Sequence, residues 1–183
     1  ASRLATEVFV GEIRRTDRAD MEPGETARML REAVALANRA VFEQSQVSGD
    51  FAGMGTTLVA ALVTPEAATI ANVGDSRAYL FDREGIRFVT VDHSLVELMV
   101  RRGLITRAVG TEAQVACDVY RQPLGPGGAV LLCTDGLSNV LADQEILFEV
   151  VHGVQKDGCC QRLLDIAKSR GAPDNVTVVL ATV

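Results

Sequence analysis

Three aspartates carry the clearest chemical signal in the sequence, because each stands beside an apolar run and among small residues. Asp75 lies in VGDSR, Asp135 in LLCTDG and Asp174 in APDNV. For each one alone, a simple turn stays open as an interpretation, since Asp-Gly and Pro-Asp-Asn are common turn sequences. Carboxylates brought together at strand ends repel one another unless a cation lies among them, and Mg²⁺ and Mn²⁺ prefer such oxygen ligands. The pattern therefore favours a site for hard divalent cations.

Other residues that could do chemistry have simpler structural interpretations. Cys133 is expected to be a buried strand residue rather than a nucleophile, since free cysteines are usually buried. His93 is expected to make local hydrogen bonds, because no carboxylate partner that would tune it for acid–base work is evident. For Arg77, a phosphate contact and an ion pair that steadies the Asp75 turn both stay open. The GMGTT segment at 53–57 lacks the Gly-Lys-Ser/Thr ending of a nucleotide-binding loop and predicts close backbone packing.

The composition argues against several classes of protein. The 183 residues suggest one domain, and 48% hydrophobic with 23% charged residues is an ordinary globular balance. The net charge is −6 and no basic stripe is present, so no nucleic-acid partner is expected. No apolar run approaches the ~20 residues of a membrane-spanning helix, so no membrane insertion is expected. The cysteines form no C-x-x-C pair, which predicts reduced thiols in a cytoplasmic protein.

The elements that must position these residues follow an α+β succession. Helical spacing predicts helices over 1–10, 26–45, 94–102, 143–151 and 157–171, with Thr26 and Asp157 as N-terminal caps. Short apolar runs predict strands over 56–64, 68–73, 78–81, 86–90, 115–122, 129–134 and 175–183. Tight turns separate the first four strands and predict an antiparallel meander. The order fits a layered α+β domain better than a regular βαβ alternation.

Five segments of the chain appear in an order that is typical of one enzyme family. They are GMGTT at 53–57, VGDSRAY at 73–79, DHSL at 92–95, LCTDGL at 132–137 and DNVTV at 174–178. Each segment alone is weak, but five in the same order and at similar spacing are a strong match. By these motifs the chain resembles the metal-dependent protein phosphatases of the type 2C (PPM) family, of the bacterial serine/threonine type.

This resemblance implies both a fold and a metal site. The expected fold is a four-layer α/β/β/α sandwich, in which two antiparallel β-sheets are flanked by helices. Family members hold two catalytic Mn²⁺ or Mg²⁺ ions, and bacterial members can hold a third. Asp135 and Asp174 match ligands of the first catalytic metal and are the expected catalytic residues, while Asp75 matches a position that binds the third metal together with Asp135. The flanking residues that are expected to orient these carboxylates are Thr134, Gly136 and Asn175.

The implied activity is the hydrolysis of phosphoserine and phosphothreonine in proteins by a water that bridges two metal ions. The expected partners are a phosphorylated protein and a cognate serine/threonine kinase, whose action the enzyme opposes. A partner-switching phosphatase of the sporulation or stress-response type is a related alternative. An alternative from a different class is a catalytically inactive type 2C module that binds or regulates another protein. An Asp-Gly loop before Ala1 in the full-length protein would favour the enzyme.

The sequence departs from the family at its start and in one loop. Family members carry an Asn-Glu-Asp strand motif and an Asp-Gly-Met-Gly-Gly loop whose Asp bridges the catalytic metals, and neither occurs among these 183 residues. The family also places a mobile flap of about a dozen residues near 105–110, where this chain is short. We expect these segments to belong to a longer, active protein, so residues 1–183 are interpreted as a single, N-terminally incomplete domain. Without the bridging carboxylate, we expect weak metal binding and little hydrolysis.

Overall fold

The computed structural model describes residues 1–18, 20–47, 49–93, 107–152 and 158–183. The chain forms two compact units. The first unit contains Ala1–Ala60, Thr69–Asp75 and Asp92–Arg121, and the second contains Ala61–Ala68, Ser76–Val91 and Gln122–Val183. The helix predicted over 94–102, the cap predicted at Asp157 and the first two residues of the shortened loop at 105–110 lie outside the described residues.

The first unit is built on two amphipathic helices. Helix α1 spans Ser2–Thr16 and helix α2 spans Pro23–Val47, followed by a 3₁₀ turn at Gly49–Phe51. Apolar residues recur every three or four positions along α2, so they line one face of the helix. Both helices contribute to one buried cluster, whose main side chains are Ala5, Phe9, Leu30, Val34 and Val41.

The start of α2 differs from its prediction. Pro23 occupies the first position of the helix, where its fixed φ suits a helix and its missing N–H removes no bond. Thr26 is therefore not the cap but a buried residue of the first turn, and its hydroxyl donates to the carbonyl of Glu22 at 3.2 Å. The prediction of Thr26 as the cap is wrong because the proline can begin the helix three residues earlier.

In the described ranges of the chain, seven strands form two sheets. The three-stranded sheet has the order β1-β2-β5, with β1 at Leu58–Val63, β2 at Ala67–Val73 and β5 at Asp118–Pro123. The antiparallel four-stranded sheet has the order β4-β3-β6-β7, with β3 at Arg77–Asp82, β4 at Gly85–Phe88, β6 at Ala129–Cys133 and β7 at Val178–Thr182. The central strand β2 is buried along its whole length, as expected for a strand covered on both faces.

The predicted meander of the first four strands is wrong. Strand β2 pairs with β1 and β5, whereas β3 pairs with β4 and β6, so the chain changes sheets at the connection formed by residues 74–76. Gly74 makes this connection possible, since its φ is +107° and a Cβ there would lie 2.4 Å from Cγ2 of Thr57. The three-residue spacing resembles a hairpin, but the pairing partners come from residues that are distant in sequence.

The second unit packs three helices near its sheet. They are α3 at Asp135–Ser138, α4 at Asp143–His152 and α5 at Cys159–Ser169. Their apolar side chains and those of the sheet form one buried cluster, whose largest fully buried side chains are Tyr79, Leu131, Leu137, Ile146 and Leu163. The predicted fold class is confirmed: the chain is α+β, with two antiparallel sheets flanked by helices. In the part of the chain that the structure describes, no helix combines the length and apolar character needed to span a membrane.

Candidate functional site

The ends of β6 and β7 bring two of the three predicted aspartates together. Strand β6 runs antiparallel to β7, and the last pair in register is Cys133 with Val178. The ladder continues one step further, because the amide of Thr134 donates to the carbonyl of Thr177 at 3.1 Å. The chain that leaves β6 therefore runs beside the chain that enters β7, and Asp135 follows this last pair directly.

The side chain of Thr134 locks these two segments to each other. Its hydroxyl donates to the carbonyl of Asn175 at 3.0 Å and accepts the amide proton of Thr177 at 3.0 Å. One hydroxyl thus serves as both donor and acceptor across the pair. The role expected for Thr134, to shape the surroundings of the carboxylates, agrees with this arrangement.

Gly136 lets the segments approach more closely than any other residue would. A Cβ on Gly136 would lie 2.4 Å from the carbonyl oxygen of Asn175 and 3.3 Å from that of Asp174. The obstacle is backbone rather than a flexible side chain, so a larger residue would force the two segments apart. Asp135, the first residue of α3, and Asp174 are consequently carried by segments in direct contact.

Each of the two carboxylates keeps one oxygen free of donors from the described residues. Oδ2 of Asp135 accepts a bond from Nδ2 of Asn139 at 3.2 Å, and Oδ1 of Asp174 accepts the amide proton of Asn175 at 2.6 Å. The remaining oxygens, Oδ1 of Asp135 and Oδ2 of Asp174, have no such partner, and no arginine or lysine of the described residues pairs with either group. Two negative groups without a neutralising cation favour an external one.

This donor set fits a hard divalent cation, because it consists of carboxylate oxygens on two contacting segments. Within neither unit do the described residues gather three or more His, Cys, Asp or Glu side chains in a metal-binding arrangement. Asp135 and Asp174 are thus the two predicted ligands that the structure brings together. Mg²⁺ and Mn²⁺ commonly complete their coordination with water when the protein supplies few ligands.

Asp75, the third predicted ligand, belongs to the first unit. It is half-buried and follows Gly74 in the connection that leaves β2. Its assignment as a metal ligand stays a prediction.

His93 has a carboxylate partner that the sequence did not reveal. Its Nε2 lies 2.7 Å from Oδ2 of Asp118, the first residue of β5. The expectation of local hydrogen bonds, which rested on the lack of an evident carboxylate partner, is wrong, because Asp118 stands 25 residues further along the chain. No local sequence signal identifies this pair, since it depends on where β5 joins the sheet.

The side chains of Cys133 and Arg77, two further residues considered from the sequence, are both packed against other protein groups. Cys133 is buried in β6 within the core of the second unit, which confirms the prediction of a buried strand residue. The guanidinium of Arg77 lies over the ring of Phe88, with 5.0 Å between Cζ and the ring centroid. Its Nη1 is also 3.4 Å from the hydroxyl oxygen of Tyr79, so the arginine is held against an aromatic surface of the second unit.

The sequence of the chain is similar to a known protein family and to several characterised proteins. The family model of protein phosphatase 2C matches residues 1–165. The serine/threonine phosphatase stp of Listeria monocytogenes is 33% identical over 165 aligned positions, which cover 82% of this chain and 66% of that protein. The serine/threonine protein phosphatase PstP of Mycobacterium tuberculosis is 32% identical and is covered to 38% of its length. The chain therefore spans about two thirds of the length of the Listeria relative.

Solved structures agree with the sequence relatives. Serine/threonine phosphatase Stp1 from Staphylococcus aureus superposes with a TM-score of 0.86 at 30% identity, covering 100% of this chain and 78% of that one. The catalytic domain of PstP in complex with two manganese ions gives a TM-score of 0.82 at 30% identity, covering 97% of this chain and 80% of that one. From the family match, the relatives and the shared fold together, the chain belongs to the protein phosphatase 2C family.

Proposed function

We propose that this chain is part of the catalytic domain of a metal-dependent protein serine/threonine phosphatase. Asp135 and Asp174 bind a divalent cation, and Asp75 contributes to a further metal position. The observation that carries the proposal is the contact between two segments that each present a carboxylate oxygen without a protein donor in the described residues. The names of the relatives support the reaction, since the Listeria protein is a serine/threonine phosphatase.

The proposed metal is Mn²⁺ or Mg²⁺, with two catalytic ions and a third position at Asp75. The PstP catalytic domain, which holds two manganese ions, supports this number. Bound divalent cations lower the pKa of a coordinated water and offset the charge of phosphoryl oxygens. The part of this chain is to hold its two carboxylates together, through the hydroxyl of Thr134 and the close approach at Gly136.

The proposed substrates are proteins phosphorylated on serine or threonine, and a cognate serine/threonine kinase is their proposed source. We also propose that the protein is cytoplasmic and that residues 1–183 belong to a single phosphatase domain. The free thiols of all four cysteines support a reducing compartment. Because Cys133 lies in the core, it supplies no thiolate for a covalent intermediate beside Asp135.

The test is the release of phosphate from a phosphothreonine peptide by the full-length gene product, with and without Mn²⁺. We expect hydrolysis that requires Mn²⁺ and that falls by at least about 100-fold in Asp135→Asn, because a neutral amide replaces a charged ligand. Asp165→Asn is the matched control, since it makes the same substitution at an exposed position of α5. We expect it to leave the rate unchanged.

Two outcomes would contradict the proposal in different ways. Equal rates for Asp135→Asn and the wild-type protein would remove Asp135 from the reaction. No hydrolysis, together with no heat of Mn²⁺ binding in calorimetry, would instead identify a binding or regulatory module.

A further inference from the structure

His93 holds the backbone of the connection that carries Asp75. The side chain of His93 is 6% exposed, so its ring lies almost wholly inside the first unit. Its backbone N–H donates to the carbonyl of Gly74 at 2.9 Å, and its Nδ1 accepts the N–H of Gly74 at 3.1 Å. The backbone N–H and the carbonyl of Gly74, which belong to the peptides on either side of this residue, are thus both bound by His93. Gly74 is the residue directly before Asp75, so this contact fixes the direction in which the chain enters Asp75.

The bond from Gly74 determines which ring nitrogen of His93 carries the proton. A nitrogen that accepts an N–H must present a lone pair, so Nδ1 is unprotonated. The proton therefore lies on Nε2, which donates it to Oδ2 of Asp118 at 2.7 Å. In the opposite tautomer Nδ1–H would face the N–H of Gly74, and the contact would become repulsive.

Asp118 fixes this tautomer and is itself held by an arginine. Its side chain is 39% exposed, and Nη1 of Arg107 lies 3.4 Å from Oδ2 of Asp118 and also 3.4 Å from Nε2 of His93. The contact between Nε2 and Oδ2 is much shorter, at 2.7 Å, and because a carboxylate oxygen can only accept, it places the ring proton on Nε2. A carboxylate that accepts from one ring nitrogen selects the tautomer in which the other nitrogen is an acceptor. Asp118 thus acts on Gly74 through His93, across two strands of the sheet.

We propose that His93 is a positioning residue for Asp75, and that the Asp118-selected tautomer of its ring holds the backbone N–H of Gly74 and thereby sets the conformation in which the chain enters Asp75 for metal binding. The two hydrogen bonds between His93 and Gly74 are called the clamp below. This inference rests on the proposed function, because the clamp is taken to position Asp75, the carboxylate that we place at the further metal position. His93 touches neither substrate nor metal in this account. It acts through the backbone of Gly74.

Two amide substitutions separate the two ends of the ring. In His93→Asn the Oδ1 atom stands where Nδ1 lies and keeps an acceptor for Gly74, but it does not reach Asp118. In His93→Gln the longer side chain places its amide near Nε2, so it keeps a donor for Asp118 and loses the acceptor for Gly74. Comparison of the two variants therefore separates the effect of losing the bond to Gly74 from the effect of losing the imidazole ring, which both variants lack.

The first measurement needs no metal. Amide hydrogen exchange at Gly74, followed by NMR of the full-length protein, should be about tenfold faster in His93→Gln, which corresponds to one lost hydrogen bond. In His93→Asn it should stay within about threefold of the wild-type rate. Long-range nitrogen–proton spectra of the wild-type His93 ring should show the Nε2–H tautomer. Unchanged exchange in His93→Gln, or an Nδ1–H tautomer, would overturn the clamp.

The second measurement connects the clamp with metal binding. Mn²⁺ titrations of the wild-type protein and Asp75→Asn define the part of the binding that depends on Asp75. We expect His93→Gln to weaken that part by about tenfold and His93→Asn to retain it. Equal affinities for His93→Gln and the wild type would overturn the positioning role. Absence of any Asp75-dependent binding in the wild type would overturn the metal assignment of Asp75, and with it the proposed purpose of the clamp, whereas the exchange at Gly74 would still decide whether the clamp exists.

Discussion

In the second unit, the carboxylate of Glu145 and the carboxylate pair of Asp135 and Asp174 have very different surroundings. Glu145 on α4 accepts bonds from both terminal nitrogens of Arg170, at 2.9 Å and 2.5 Å, and from the amide of Ala142 at 2.9 Å. Asp135 and Asp174 accept bonds only from neutral donors of nearby residues. Among the described residues, the protein therefore neutralises Glu145 with its own cation and leaves the aspartate pair without one.

This difference indicates what each group does. The hydrogen bonds from Arg170, and to a lesser extent from the amide of Ala142, lower the pKa of Glu145 to about 2. Such a carboxylate is committed to an ion pair and contributes to the fold. Carboxylates on contacting segments that lack a protein cation repel each other, and an external cation removes that repulsion. The comparison therefore separates a structural carboxylate from a pair that is available to a metal.

The largest effect is expected for Asp174→Asn. Hydrolysis of a phosphothreonine peptide should fall by at least about 100-fold, because the charged group that we propose as a metal ligand is lost. In EDTA the same variant should unfold at an unchanged or slightly higher temperature, since one of two repelling charges is gone. Activity assays and differential scanning calorimetry measure the two effects. A large loss of metal-free stability would show instead that Asp174 is structural.

The next largest effect is expected for Gly136→Ala, which tests the contact that joins the aspartate-bearing segments. Its Cβ would lie 2.4 Å from the carbonyl oxygen of Asn175, so the segments must separate. We expect a loss of about 2 kcal/mol in the free energy of unfolding, typical of an overpacked site, together with weaker Mn²⁺ binding.

Gly125→Ala is the matched control for this variant, because a Cβ at Gly125 meets no atom within 4 Å. Chemical denaturation should find it within about 0.5 kcal/mol of the wild type, as for most surface substitutions. Equal stability of the two alanine variants would refute the close approach at Gly136.

A smaller effect is expected for Thr134→Val, which removes the hydroxyl that joins Asn175 and Thr177. The loss should be about 1–2 kcal/mol, since a donor and an acceptor lose their partner. Thr134→Ser keeps the hydroxyl and should retain most of the stability. Denaturant midpoints compare the variants, and a serine variant as unstable as the valine variant would assign the effect to packing of the methyl group.

The smallest effect is expected for Glu145→Gln, whose consequence depends on pH. The folded pKa of Glu145, about 2, lies below its ordinary value of 4.5. The carboxylate therefore stabilises the fold above pH 4.5, and this contribution is lost as the pH falls through about 2. The wild type should melt a few degrees above the variant at neutral pH, by no more than ~4 °C, and the difference should close at acid pH. Activity should not change.

The sequence predicted most helices and strands and also identified the aspartate pair. Apolar periodicity was sufficient for α2, β6 and β7, since each buries a regular face, and the motifs pointed to Asp135 and Asp174. Other features were missed. The change of sheet after β2 and the pairing of His93 with Asp118 depend on partners far away along the chain. The short helix beginning at Asp135 and the start of α2 at Pro23 were missed because Asp-Gly and Pro-Gly are also common turn sequences. Local patterns determine elements, whereas strand pairing determines which residues meet.

The most direct test of the central claim is the thermal stability of the full-length protein during a Mn²⁺ titration. We expect Mn²⁺ to raise the melting temperature of the wild type, by the equivalent of about 2.7 kcal/mol at a hundredfold excess over Kd. The double variant Asp135→Asn/Asp174→Asn should show no rise, and Glu145→Gln should respond as the wild type does. An equal rise in the double variant, or none in the wild type, would contradict the claim that this pair is kept for a cation.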